Sequence, residues 1–87
     1  MSTPAAKTTK ASVYVSLKKT VLDPQGATIQ SALQSLGHKS VQTVRQGKYF
    51  ELDLATGDAA EARRLAAEIA DKVLANPVIE SYRIDVE

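Results

Sequence analysis

Apolar residues in this chain recur with period two, then with a helical period, then with period two again, and the whole cycle happens twice. Few folds satisfy both switches within one small domain. Ser12–Lys19 alternates: Val13, Val15 and Leu17 point one way, and Tyr14, Ser16 and Lys18 the other. That is the pattern of a strand with one buried face. Asp23-Pro24 follows. Aspartate caps a helix N-terminus, and proline suits the first helical position, where its missing N–H would be unpaired anyway. Ile29, Ala32, Leu33 and Leu36 then share one helical face, and Gly37 stands where a left-handed terminator belongs. Val41–Arg45 is expected to be a short strand and Gln46-Gly47 a tight connection. Tyr49–Leu54 alternates again, with Phe50, Leu52 and Leu54 against Tyr49, Glu51 and Asp53, so the pair is expected to form a hairpin.

The second cycle opens at Thr56-Gly57-Asp58. Asp58 with Glu61 three residues later resembles a capping box. Ala62, Leu65, Ala66, Ile69 and Val73 fall on one stripe, while Glu61–Arg64 and Glu68–Lys72 sit at pairing distances on the outer side. Asn76-Pro77 ends the helix, because proline disfavours helical geometry at the residue before it. Val78–Val86 is the expected last strand. The order is βαββαβ. Val41-Gln-Thr-Val44-Arg45 after the first helix and Ile79-Glu-Ser-Tyr82-Arg83 after the second form a short internal repeat. Together these predict an α+β, ferredoxin-like βαββαβ sandwich: a four-stranded antiparallel sheet with two helices on one face. Residues 1–11 are expected to be a flexible N-terminal tail, and 12–87 a single domain, the most that 87 residues support.

In that arrangement the face away from the helices carries Tyr14, Ser16, Lys18, Tyr49, Glu51, Asp53 and Arg83. Two neighbouring tyrosines on an open sheet face suit a subunit that associates, since Tyr and Arg are enriched where proteins meet. Tyr14 and Tyr49 are therefore the candidates for self-association, and Arg45, Lys48 and Arg83 for polar contacts with partners. By its alternation Tyr82 belongs under the helices or at the sheet edge. A domain this small buries a limited core, so pairing with other subunits would help it.

Chemistry-bearing patterns are scarce. With 11 basic against 10 acidic residues the formal charge is +1, unlike the basic footprint of a nucleic-acid binder. The RNA-recognition motif shares this strand order and stacks bases on central aromatics. Here, however, Glu51 and Asp53 follow Tyr49 on the same face and would repel phosphates. Cysteine is absent, which removes disulfides, thiolate metal ligands and a Cys nucleophile. His38 has no partners at metal-ligand spacing and is expected to be a turn residue. The single glycines form no phosphate-binding loop. Glu51 and Asp53 are expected to be surface carboxylates, with nothing to raise either pKa for acid–base work. No catalytic, cofactor or metal site is expected. No apolar run is long enough to span a membrane, and the first residues lack the apolar core of a secretory signal, so a cytoplasmic location is expected.

Four stretches carry a family resemblance: YVSLKKTVLDPQG (14–26), ALQSLG (32–37), VQTVRQGKYFEL (41–52) and LANPVIESYRIDVE (74–87). In this order and spacing they resemble the PurS family, the small subunit of phosphoribosylformylglycinamidine synthase of purine biosynthesis. The likeness spans residues 12–87. His38 stands where an aromatic is common in the family. The resemblance implies a subunit without an active site of its own. It implies two partners, a PurQ-like glutaminase that releases ammonia and a PurL-like synthetase that uses ATP and Mg²⁺, and self-association as a homodimer or homotetramer. Its implied task is to join the two and assist ammonia transfer. A ferredoxin-like regulatory or ligand-binding module of another enzyme is the alternative that the residues alone leave open.

Overall fold

The computed structural model describes residues 7–87. Its elements are strand β1 (Thr9–Leu17), helix α1 (Pro24–Ser35), strand β2 (Gly47–Leu54), helix α2 (Ala59–Ile69), which widens into a π-helical turn over Ala70–Leu74, and strand β3 (Glu80–Val86). The class is α+β, as the periodicity predicts, but the sheet has three strands, not four. All are antiparallel in the order β2-β1-β3. Val13 faces Phe50 on one side and Ile84 on the other, and Tyr14 sits between Tyr49 and Arg83.

The missing strand is Val41–Arg45. Its first residue is tied to α1 and the turn after it instead of to a ladder. The Val41 N–H donates to the His38 carbonyl and the Val41 carbonyl accepts from the Gln34 side chain. The Val44 carbonyl lies so close to Gly26 that a Cβ added there would stand 2.2 Å from it. Helix and return segment thus run beside each other as one arm. This corrects a second expectation, that both helices cover one face of the sheet. Only α2 packs over the strands, on β1 and β3, and α1 adds no residue to the core. The radius of gyration is 17.2 Å, against about 12 Å for a compact chain of this length.

The core is correspondingly small. Ala11, Val13, Val15, Ala66, Ala70 and Ala75 are buried together, with Phe50, Leu52, Leu54, Leu74, Ile84 and Val86 partly buried around them. Ala11 is fully buried and Thr9 nearly so, its hydroxyl donating to the Thr56 carbonyl at 2.6 Å. Thr9–Ala11 are therefore strand, not tail; Lys7 and Thr8 precede the strand outside any element, and residues 1–6 of the expected tail lie outside the described residues. Thr9 and Ala11, the inward pair, are too small or too polar to mark an alternation.

Local rules hold at most corners. The Asp23 side chain caps α1 by accepting from the Gly26 N–H, and Gly37 ends the helix with φ of 99°. Asp58 caps α2 through the Ala60 N–H. The reciprocal half of the capping box is absent, because Glu61 turns to Arg64 at 3.2 Å and the Asp58 N–H goes to Thr56. The expected Glu68–Lys72 pair is present at 3.2 Å. After Ile69 the helix widens, with the Ala75 N–H reaching back to the Ala70 carbonyl. The extra residue per turn rotates Val73 off the buried stripe, to 75% exposure, and brings Ala70, Leu74 and Ala75 inward. Asn76 and Glu80 then clasp each other: the Asn76 N–H donates to the Glu80 carboxylate at 2.7 Å, and the Asn76 carbonyl accepts from the Glu80 N–H at 2.7 Å. That clasp delays β3 to Glu80, two residues after its expected start.

Val13 and Val15 are the largest side chains fully enclosed. Val13→Ala is expected to lower unfolding free energy by about 2 kcal/mol, read as a reduced urea midpoint at fixed protein concentration. The same change at exposed Val73 is expected to shift it by less than about 0.5 kcal/mol.

Candidate functional site

Three of the five residues singled out by sequence meet on the open face of the sheet. The register sets Tyr49, Tyr14 and Arg83 side by side across β2, β1 and β3. The tyrosine ring centroids are 5.0 Å apart with planes tilted by 43°, a favourable offset geometry. The Arg83 guanidinium lies 4.1 Å from the Tyr14 centroid, within cation–π range, and also pairs with Asp85 at 2.8 Å. The Tyr49 hydroxyl donates to Glu51 at 2.8 Å and lies 3.2 Å from the Ser12 hydroxyl. Lys10 closes the row on Glu51 at 3.6 Å.

This face is therefore a flat, internally paired row of aromatic and charged groups. Ser12 pulls the Tyr49 phenol down, but Glu51, which accepts its proton, pushes it up together with partial burial, and the net shift is upward. The same hydrogen bond, helped by Lys10, holds the Glu51 carboxyl below its usual range. Glu51 is a hydrogen-bond acceptor here, not a proton donor.

Arg45 and Lys48 stand elsewhere. Arg45 lies at the base of the arm, its guanidinium donating to the Lys18 carbonyl at 2.9 Å. Lys48 pairs with Val15 in the register, which puts it on the helix side of the sheet, where it meets Glu80 at 3.5 Å. Lys48 borders a cleft of about 210 Å³ floored by Val15 and Leu17 and edged by Asp23, Gln25, Gln46 and Glu80. The cleft's polar groups already have partners, and no buried side-chain polar atom lacks one among the described residues. Tyr82 is also on the helix side, at the β3 edge and 37% exposed, as its alternation predicts.

The residue that organises this end of the molecule is Asp23, which sequence reasoning identified only as a helix cap. One carboxylate oxygen accepts from the Gly26 N–H at 2.9 Å, and the other from the Gln46 N–H at 2.7 Å. The Gln46 amide in turn bonds Gln25. A single buried carboxylate thus ties the start of the arm to its end. These hydrogen bonds, first Gly26 and then Gln46, hold its pKa below the usual value. No signal in the sequence marks the second bond, because Gln46 follows Asp23 only after a helix and its return. Among the described residues no group of three or more His, Cys, Asp or Glu is placed to hold a metal ion. No helix among them is long and apolar enough to cross a membrane.

The fold and its two faces define a small α+β subunit built around surfaces for contact. A family model of PurS, phosphoribosylformylglycinamidine (FGAM) synthase, matches residues 10–87. The chain is 51% identical over 78 residues to the PurS subunit of Bacillus subtilis (strain 168), covering 90% of this chain and 92% of that one. Against PurS of Mycobacterium leprae it is 46% identical over 78 residues, covering 90% and 95%. The solved B. subtilis PurS superposes with a TM-score of 0.81, over 91% of this chain and 98% of that one. A chain of the PurLQS structure from Thermotoga maritima superposes with a TM-score of 0.85 at 26% identity, over 93% and 99%. The chain belongs to the PurS family of FGAM synthase subunits.

Because the carboxylate of Asp23 has a lower pKa folded than unfolded, its contribution is present above about pH 4, the unfolded value, and is lost as pH falls through the folded one. Exchange protection of the Gly26 and Gln46 amides is expected to persist at neutral pH and to fall together below about pH 4. Asp23→Ala is expected to remove protection at both amides at pH 7, with a loss of about 1 kcal/mol from the cap.

Proposed function

We propose that this chain is the non-catalytic subunit that joins a PurL-like synthetase to a PurQ-like glutaminase. The complex converts formylglycinamide ribonucleotide and glutamine to formylglycinamidine ribonucleotide and glutamate in purine biosynthesis. The observation that carries the proposal is the likeness to the PurS chain of PurLQS over nearly its whole length. In this reading the chain supplies surfaces and geometry. ATP and Mg²⁺ belong to the synthetase, and no cofactor is bound here.

The physical need for such a subunit is clear. Ammonia released into water is protonated and diluted, so two sites that pass it on must be docked and shielded from solvent. A rigid sheet suits that role better than loops do, because the contact row is fixed by strand register. Tyr14 and Tyr49 are assigned to self-association through the open face, as a homodimer or homotetramer. Arg45, Lys48 and Arg83 are assigned to polar contacts with partners. The Arg83–Asp85 pair is solvent-exposed and so costs little to exchange for a new one. The location is cytoplasmic, with the soluble purine enzymes.

Reconstitution of the two partner subunits with and without this chain tests the proposal. Glutamine-dependent product formation is expected to require the chain, while synthesis driven by added ammonium salt is expected to stay within about twofold without it. Equal glutamine-dependent rates in its absence would overturn the assignment.

A further inference from the structure

The open face of the sheet holds one arginine in a distinctive way. The Arg83 guanidinium lies 4.1 Å from the centre of the Tyr14 ring and 2.8 Å from the Asp85 carboxylate. One cation thus touches an aromatic face and an acid at once. Guanidinium suits both contacts, because it is planar, stacks on rings and matches the fork of a carboxylate.

The same ring and acid recur on β2 without the cation. Tyr49 stands beside Tyr14 in the register, and Glu51, like Asp85, stands opposite Ser12. The Tyr49 hydroxyl is anchored on Glu51 and Ser12, so the ring loses little freedom when something covers it. Tyr49 is 51% exposed, against 36% for Tyr14 beside its arginine. Asp53 follows on the same face and has no ion pair among the described residues. Lys48, the one cation of β2, is turned to the helix side. Only Lys10 serves the two acids, meeting Glu51 at 3.6 Å although its register partner is Asp53. The β2 column is therefore one positive charge short.

A second copy is a poor source for that charge. The chain has four arginines, and each is engaged. Arg45 donates to the Lys18 carbonyl and Arg63 to the Ile84 carbonyl, Arg64 pairs with Glu61 and Glu68, and Arg83 is held by Tyr14 and Asp85. A different protein brings an uncommitted one, and Tyr–Arg contacts are those that interfaces favour.

We propose that the Tyr49–Glu51 column docks a partner subunit by taking an arginine of that partner. The guanidinium stacks on the Tyr49 ring and pairs with Glu51, and Lys10 moves to Asp53, which balances both acids. The inference rests on the role proposed above. It moves Tyr49 from the contact between copies to the contact with a partner, and leaves Tyr14 in the former.

The test is fluorescence anisotropy of this chain, labelled at its amino terminus and titrated with the synthetase and glutaminase together. Tyr49→Leu is expected to weaken binding about tenfold, and Tyr49→Phe, which keeps the ring, much less. Glu51→Lys is expected to weaken it about tenfold or more in dilute buffer, with most of the gap closing at about 0.5 M salt. Circular dichroism of each variant should match the parent, since both residues lie outside the buried cluster. p-Hydroxyphenylglyoxal, which modifies arginine, is expected to spare at least one partner arginine in the complex with the parent and to reach it in the complex with Tyr49→Leu. Parent-like affinity for Tyr49→Leu and Glu51→Lys, with glutamine-dependent synthesis still requiring the chain, would overturn the inference and leave the role standing. So would variants that bind the partners normally but lose self-association in sedimentation equilibrium. A parent chain that binds neither partner, with equal glutamine-dependent rates in its absence, would overturn both.

Discussion

The Asp23 carboxylate sets the shape of this molecule. It accepts from the Gly26 N–H at the start of α1 and from the Gln46 N–H just before β2, so the chain between them must close into an arm. Charge-assisted bonds to backbone amides are among the stronger polar contacts a fold has, and this pair is nearly shut off from solvent, with Asp23 6% exposed. Everything from Pro24 to Gln46 is positioned by it. The consequence is a helix held away from the sheet that its apolar stripe would otherwise cover.

That displacement explains the thin core. Four of the six buried residues at its centre are alanines, and the two valines of β1 are the only larger ones. Small domains are short of buried apolar area even when every element packs inward, and here one of two helices does not. The molecule offsets part of this with well-formed ends. Asp58 caps α2, Asn76 and Glu80 hold the corner into β3, and Glu61, Arg64, Glu68 and Lys72 form a ladder along the exposed side of α2. Surface pairs of this kind add tenths of a kcal/mol each. They do not replace a missing layer.

Much of this was legible in the sequence because it depends on local rules. Alternation fixes the faces of β1 and β2, so it sets Tyr14 and Tyr49 together, and Arg83 joins them by the same parity. Asp23-Pro24, Gly37, Asp58 and Asn76-Pro77 mark helix ends by their backbone preferences, and all act there. The errors share another cause. Val41–Arg45 has strand-like letters, yet whether a segment joins a sheet is decided by which groups take its N–H and C=O, and those of Val41 go to the turn after α1 and to the Gln34 side chain. The stripe Ile29, Leu33 and Leu36 says that α1 has an apolar side but not that the helix leaves its own sheet. Val73 left its stripe because a π turn changed the phase, which no count at 3.6 residues per turn anticipates. Thr9 and Ala11 are too small or too polar to mark the period. The family likeness, by contrast, was carried by spaced motifs and did not depend on any of these points.

Within each chain the arm stands off its own sheet. Spin labels at Ser35 and at Leu54, on the helix side of β2, of one chain, diluted into excess unlabelled protein so that only intrachain pairs are read by pulsed electron resonance, test it directly. A single long separation, well beyond the roughly 10 Å that divides packed layers, is the result expected. A dominant short distance at that layer spacing would show α1 folded over its own β2, and would contradict it.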